Sequence, residues 1–157
     1  MVDGMLGSLS RWLRMLGYEA EYPRDASDDE LLELTASKKA ILLTRDAELY
    51  RRAKARDLEA FFVEGDNEPE RLAGTAARFG LRLQVDAIMS RCPACNSLLR
   101  KAETEEIRER VPLGTLAHYT EFWVCEGCGK VYWQGGHWKK INETLRRARE
   151  LQNKNSY

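Results

Sequence analysis

Apolar residues recur at helical and strand spacing through the first half of the chain. Leu6, Leu9, Leu13 and Leu16, with Trp12 and Met15, follow the helical period, and Gly17 stands where a C-cap belongs, so the spacing predicts a helix over Met5 to Leu16. Met1 to Asp3 reads as the stub of a first strand ending in an acid, and Tyr18 to Tyr22 as a short strand. Ser27 followed by Glu30 makes a capping box for a helix over Asp28 to Ser37. The run Ala40 to Thr44 is a buried parallel strand by composition, Asp46 to Ala55 a helix, Ala60 to Val63 another buried strand, and Pro69 to Phe79 a helix closed by Gly80. This βαβαβαβα order predicts an α/β fold, a parallel sheet with helices on both faces.

Past Asp86 to Ser90 the pattern changes, which divides the chain into residues 1–88 and 89–157. A Cys pair is followed by a charged stretch from Arg100 to Arg110 and a turn at Val111 to Gly114. Strand-like runs at Tyr119 to Val124 and Val131 to Trp133 flank a second Cys pair, and a basic helix is expected over Ile141 to Leu151.

Charge sharpens that division. Residues 1–89 hold 13 Lys+Arg against 17 Asp+Glu, a balance of −4, and residues 90–157 hold 12 against 8, a balance of +4. A basic module beside an acidic one suits a nuclease, and it also suits two ordinary solvated surfaces. No segment is apolar for long enough to span a membrane, and Met1 to Gly17 lacks the apolar core of a secretion signal, so a cytoplasmic location is expected.

The four cysteines fall into two Cys-x-x-Cys pairs, Cys92/Cys95 and Cys125/Cys128, separated by 29 residues. In a reducing compartment, thiolate ligation of a metal accounts for them better than disulfides do. Four thiolates make a closed tetrahedral set, so the expected ion is a structural Zn²⁺ in a zinc ribbon, with an Fe–S centre as chemical competitor. Gly129, just past the second pair, suits the positive φ of such a knuckle.

Three acids follow predicted strands: Asp3, Asp46 and Asp66. Ligands of open parallel sheets sit beyond the carboxyl ends of the strands. With Asp28 and Asp29, these residues are candidates to hold Mg²⁺ or Mn²⁺ for phosphodiester hydrolysis. Each also has a plain alternative: Asp28 and Asp29 as the acidic first turn of a helix, Asp46 as an N-cap, Asp66 as a turn residue.

Several blocks carry a resemblance. Asp3-Gly-Met-Leu-Gly-Ser-Leu-Ser-Arg-Trp-Leu-Arg-Met-Leu-Gly17, Ser27-Asp-Asp-Glu-Leu-Leu32, Ile41-Leu-Leu-Thr-Arg-Asp46, Ser90-Arg-Cys92 and the stretch Phe122 to Trp138 occur in that order. They resemble the PIN-like ribonuclease family named after the C-terminal domain of the exonuclease Mut-seven, over about residues 2–140. The resemblance implies a PIN-like α/β domain followed by a zinc ribbon, acting on RNA through acids that coordinate Mg²⁺ or Mn²⁺. By position, Asp3 and Asp46 correspond to two of those acids, Asp28 or Asp29 to an intervening one, and Asp66 to the last. It also implies that Arg11, Arg14 and Arg45 touch phosphate or pair with the acids, with the solvated face of a helix as the alternative for the first two.

In the second half, Tyr119, Phe122, Trp123, Tyr132, Trp133 and Trp138 could stack on bases beside Lys139, Lys140, Arg146, Arg147 and Arg149, although strand alternation buries about half of these rings. His137 is expected to pack beside the aromatics, and His118 has no evident role. The expected function is therefore a metal-dependent ribonuclease whose ribbon aids RNA binding. A catalytically inactive nucleic-acid- or protein-binding module and a toxin-like PIN ribonuclease are the alternatives.

Overall fold

In a computed structural model describing residues 1–154, the sheet of the first half is built on two parallel strands, β1 (Leu42–Thr44) and β2 (Ala60–Phe62), in register Leu42–Ala60 to Thr44–Phe62. The last three residues of the basic tail lie outside the described part. The stub at Met1–Asp3 is not a full strand. It joins the sheet by a single parallel bridge, Val2 to Leu43. Two short bonds hold it there, Leu43 N–H to the Met1 carbonyl (2.9 Å) and Asp3 N–H to the Leu43 carbonyl (3.0 Å). On the other side Val2 N–H donates to Glu21 O at 2.8 Å. Tyr18 to Tyr22 therefore forms no strand of its own; one such bond aligns an extended loop beside the stub.

Helices cover the sheet as the apolar spacing requires. A 3₁₀ turn, Gly4–Leu6, leads into α1 (Gly7–Met15). α2 (Asp28–Ser37) opens on the expected capping box: Ser27 Oγ accepts from Glu30 N–H, and the Glu30 carboxylate accepts from Ser27 N–H. α3 (Ala47–Ala55) is capped by Asp46, so the helix begins one residue later than its sequence pattern suggests. α4 (Glu68–Phe79) is capped by Asn67 and ended by Gly80 in the left-handed conformation.

The second half holds a three-stranded antiparallel sheet in the order β3 (Leu99–Lys101), β4 (Trp123–Cys125), β5 (Val131–Tyr132). β4 begins only at Trp123, four residues later than the run of apolar residues implies, because Tyr119 closes a short helix. That helix, α6 (Leu113–His118), and its neighbour α5 (Thr104–Ile107) occupy the stretch read as a charged loop and a turn. Ile107, Val111, Phe122 and Val124 form the core of this half.

The terminal helix, α7 (Trp138–Lys154), packs on α4 rather than on the ribbon. Its Leu145 and Ala148 belong to the same buried cluster as Val2, Leu6, Leu9, Leu72 and Ala76. Among the described residues no helix is long and apolar enough to cross a membrane.

Candidate metal centres and the rim of the sheet

The four cysteines converge. Their sulfurs all lie within 4.8 Å of one another, with Cys92 Sγ 3.7 Å from Cys128 Sγ and Cys95 Sγ 3.3 Å from Cys125 Sγ. A tetrahedron of sulfurs about 2.3 Å from a zinc ion has edges of about 3.8 Å, so the spacing fits that ion. The residues after each pair, Asn96 and Gly129, have φ of 71° and 74°, as knuckles require. The turns aim amides at sulfur: Gly127 N–H and Cys128 N–H both donate to Cys125 Sγ at 3.3 Å.

The local fields at these thiols differ. Hydrogen bonds from Ser97 bring the Cys95 thiol down to about 6, while burial pushes Cys125 up to about 11. The Tyr132 hydroxyl sits 3.0 Å from Cys92 Sγ, and burial together with that contact raises its pKa. The cluster is thus a four-Cys set compatible with a zinc ribbon, and four thiolates leave no ligand position for chemistry.

The ribbon is tied to the first half through Arg14. This side chain is 6% exposed. Its guanidinium donates to the carbonyls of Ala20 (2.8 Å), Pro93 (2.9 Å) and Ala94 (3.3 Å), the last two lying inside the first Cys pair. Burial lowers its pKa. The Arg14 Nε and Nη1 groups therefore go to backbone carbonyls, and Nη2 has no hydrogen-bond partner among the described residues. Arg91 N–H to Arg14 O (2.8 Å), Ser90 Oγ to Met15 O (2.6 Å) and Ala20 N–H to Asn96 Oδ1 (3.1 Å) complete the seam.

At the carboxyl edge of the parallel strands, Thr44 links two of the candidate acids. Its hydroxyl donates to Asp3 Oδ2 at 2.7 Å and accepts from Asp46 N–H at 2.9 Å. Asp3 is buried. The Asp46 carboxylate also caps α3, with Oδ1 accepting from Glu48 N–H (2.7 Å) and Leu49 N–H (3.0 Å). Asp3 Oδ1 and Asp46 Oδ2 have no hydrogen-bond partner among the described residues.

The other acids stand apart from this pair. Asp28 and Asp29, at the start of α2, are exposed and ion-paired, both to Arg52 and Asp29 also to Arg56 at 3.2 Å. Asp66 is exposed, and its backbone N–H donates to Glu70. Among the described residues only the cysteines gather three or more ligand atoms within 4.8 Å.

Gly65, beside Asp66, has φ of 116°, and a Cβ there would lie 2.8 Å from Glu70 Cβ. Its carbonyl accepts from Arg45 and from Arg71 Nε (3.1 Å), so Arg45 braces the loop after β2. Arg11, Lys139 and Lys140 are exposed, and so is His137. His118 Nδ1 lies 2.9 Å from Gly114 O. Phe122 and Trp123 are buried, while Tyr119, Tyr132, Trp133 and Trp138 are half-buried.

The pattern of residues did not point to Glu68. Its carboxylate accepts from Ser8 Oγ and from Trp12 Nε1 (2.9 Å), fastening α4 to α1 near the rim. An acid in the first turn of a helix carries no distinguishing signal in the sequence. Thr44 was legible only as part of the Thr44-Arg45-Asp46 block.

Comparison with known proteins agrees with this architecture. The family model described as the Mut7-C RNAse domain matches residues 1–145. Neither the curated proteins nor the solved structures return a match. The chain belongs to the Mut7-C RNAse domain family, a PIN-like ribonuclease family, here with a four-Cys ribbon appended.

Proposed function

From that membership we propose that the protein is a metal-dependent ribonuclease that hydrolyses RNA phosphodiester bonds at the rim carrying Asp3 and Asp46. The observation that carries the reading is the Thr44 link: one hydroxyl bonds the buried Asp3 carboxylate and the Asp46 amide. It fixes two acids from distant parts of the chain at one edge while leaving each an oxygen without a protein partner. A pair of hard oxygen donors of that kind suits Mg²⁺ or Mn²⁺. Such a cation, when bound, supplies Lewis acidity toward phosphate and lowers the pKa of water.

The chain's own residues would prepare that event. Burial and the Thr44 hydroxyl orient Asp3. The α3 amides orient the Asp46 carboxylate. Arg45, by bracing Gly65, sets the loop that carries Asp66, a more distant acid in this reading. Asp28 and Asp29 join it only if their ion pairs to Arg52 and Arg56 open. Lys139 and Lys140, exposed at the start of α7, supply positive charge for RNA. Zinc on the four cysteines would stabilise the ribbon. A catalytically inactive binding module is the second reading, favoured by the absence of a third acid beside Asp3 and Asp46 among the described residues.

The assay is cleavage of labelled single-stranded RNA in Mn²⁺ by the wild type beside Asp46→Asn. The expected result is cleavage by the wild type and a loss of about 100-fold or more in the variant, the scale of losing a principal group in the site. Equal rates, or none in either protein, favour the binding module.

A further inference from the structure

We infer that single-stranded RNA reaches the rim along a groove running from the start of α1 to the first zinc knuckle. This rests on the ribonuclease reading above and adds the path of the substrate to it. The groove has a volume of ≈ 600 Å³. Its lining includes Gly4, the residue next to Asp3, Arg11 and Arg24, and Pro93 and Ala94 between Cys92 and Cys95.

Its charge suits a polyanion. Arg11 and Arg24 are exposed, and neither has an ion-pair or hydrogen-bond partner among the described residues. Elsewhere in the first half, Arg52 and Arg56 are locked to Asp28 and Asp29, and Lys38 to Glu21. Arg14 also lines it, with its side chain buried and its Nε and Nη1 bonded to backbone carbonyls. Asp25 is the one acid lining the groove. Two uncommitted guanidinium groups facing a groove can each take a phosphate bidentately.

Its walls are built from packed contacts. Tyr22 donates its hydroxyl to Gly4 O at 2.8 Å, and a Cβ on Gly7 would come within 2.8 Å of that hydroxyl, so helix start and turn are fitted to each other. The far wall is the knuckle itself, fixed by the Arg14 bonds to Pro93 and Ala94. Grooves that track a single backbone electrostatically use this arrangement.

The test is binding, separate from cleavage. Fluorescence anisotropy of labelled single-stranded RNA is measured with the zinc-loaded full chain and no added Mg²⁺ or Mn²⁺. Wild type is compared with Arg11→Glu/Arg24→Glu and with the control pair Arg51→Glu/Lys54→Glu on α3. The expected result is a Kd raised about tenfold or more in the groove variant, with the control pair unchanged. The slope of log K against log salt should become shallower by about 1.4, because each single-strand phosphate contact contributes about 0.7.

Circular dichroism and zinc content establish that the variants fold. If the double variant does not, Arg11→Gln and Arg24→Gln singly should each weaken binding by about threefold or more. Affinity retained in the groove variants, loss in the control pair alone, equally tight binding of duplex RNA, or no RNA binding by the wild type overturns the inference. A chain that binds through this groove but cuts no RNA in the Asp46 assay sinks the catalytic reading and leaves the groove standing.

Discussion

Arg14 shows how much a tertiary contact adds to what a residue's neighbours in the chain suggest. In the sequence it lies three positions after Arg11, on a helix in a block shared with a nuclease family, and both appear equally fit for phosphate. A helix turns about 300° over three residues, yet the C-terminal end of α1 meets the ribbon while Arg11 faces solvent, and that tertiary contact decides the matter. Arg14 places its donors among three backbone carbonyls, of which that of Ala20 is buried. Removing it leaves the buried Ala20 carbonyl without its donor and a large side chain's volume unfilled. Arg14→Ala should cost about 3 kcal/mol in denaturant unfolding. Arg14→Lys should recover less than half of that loss, because an ammonium cannot reach Ala20 and the knuckle in one planar geometry. Arg11→Ala should lie within about 0.5 kcal/mol of the wild type in the same measurement.

The elements were legible where local chemistry decides them. Ser27 and Glu30 fix the start of α2, and Gly80 ends α4. The hydrogen bonds from Ser27 hold the Glu30 carboxyl below its ordinary value of 4.5. A depressed acid contributes stability above that ordinary value and loses it as pH falls through the folded value. The destabilisation of Glu30→Gln should therefore be largest near neutral pH and shrink below about pH 4.5, which thermal melts across that range would show. Elements set by distant partners were not legible. Residues 18–22 have strand-like composition, but their only neighbour on that side is a stub anchored by one bridge, so no ladder forms. Residues 104–110 carry charges of both signs that mask Ile107, whose burial with Val111 and Phe122 settles the first short helix, while the second rests on the half-buried Leu116. The basic tail shows its helix in its periodicity. Its docking site on α4 depends on Leu72 and Ala76 half a chain away.

That docking makes the molecule more than an α/β half followed by a ribbon. The first core is closed by Leu145 and Ala148 from the far end of the chain, and the Arg14 seam ties α1 to the first Cys knuckle. Leu145→Ala should thus destabilise the unfolding of the first half by about 2–5 kcal/mol, read from the Trp12 environment or by hydrogen exchange in α1 and α4. If only the ribbon and tail lose stability, the two halves fold independently. At this scale the sequence showed the parallel α/β order and the four-Cys cluster, because periodicity and paired spacing are local signals. It showed that acids follow strands, but not that Thr44 would join Asp3 to Asp46. The direct test of that convergence is anomalous diffraction at the manganese edge from crystals soaked in Mn²⁺. The account predicts a peak between Asp3 Oδ1 and Asp46 Oδ2, lost in Asp46→Asn. Manganese bound only elsewhere on the protein, or a peak that survives the substitution, would contradict it.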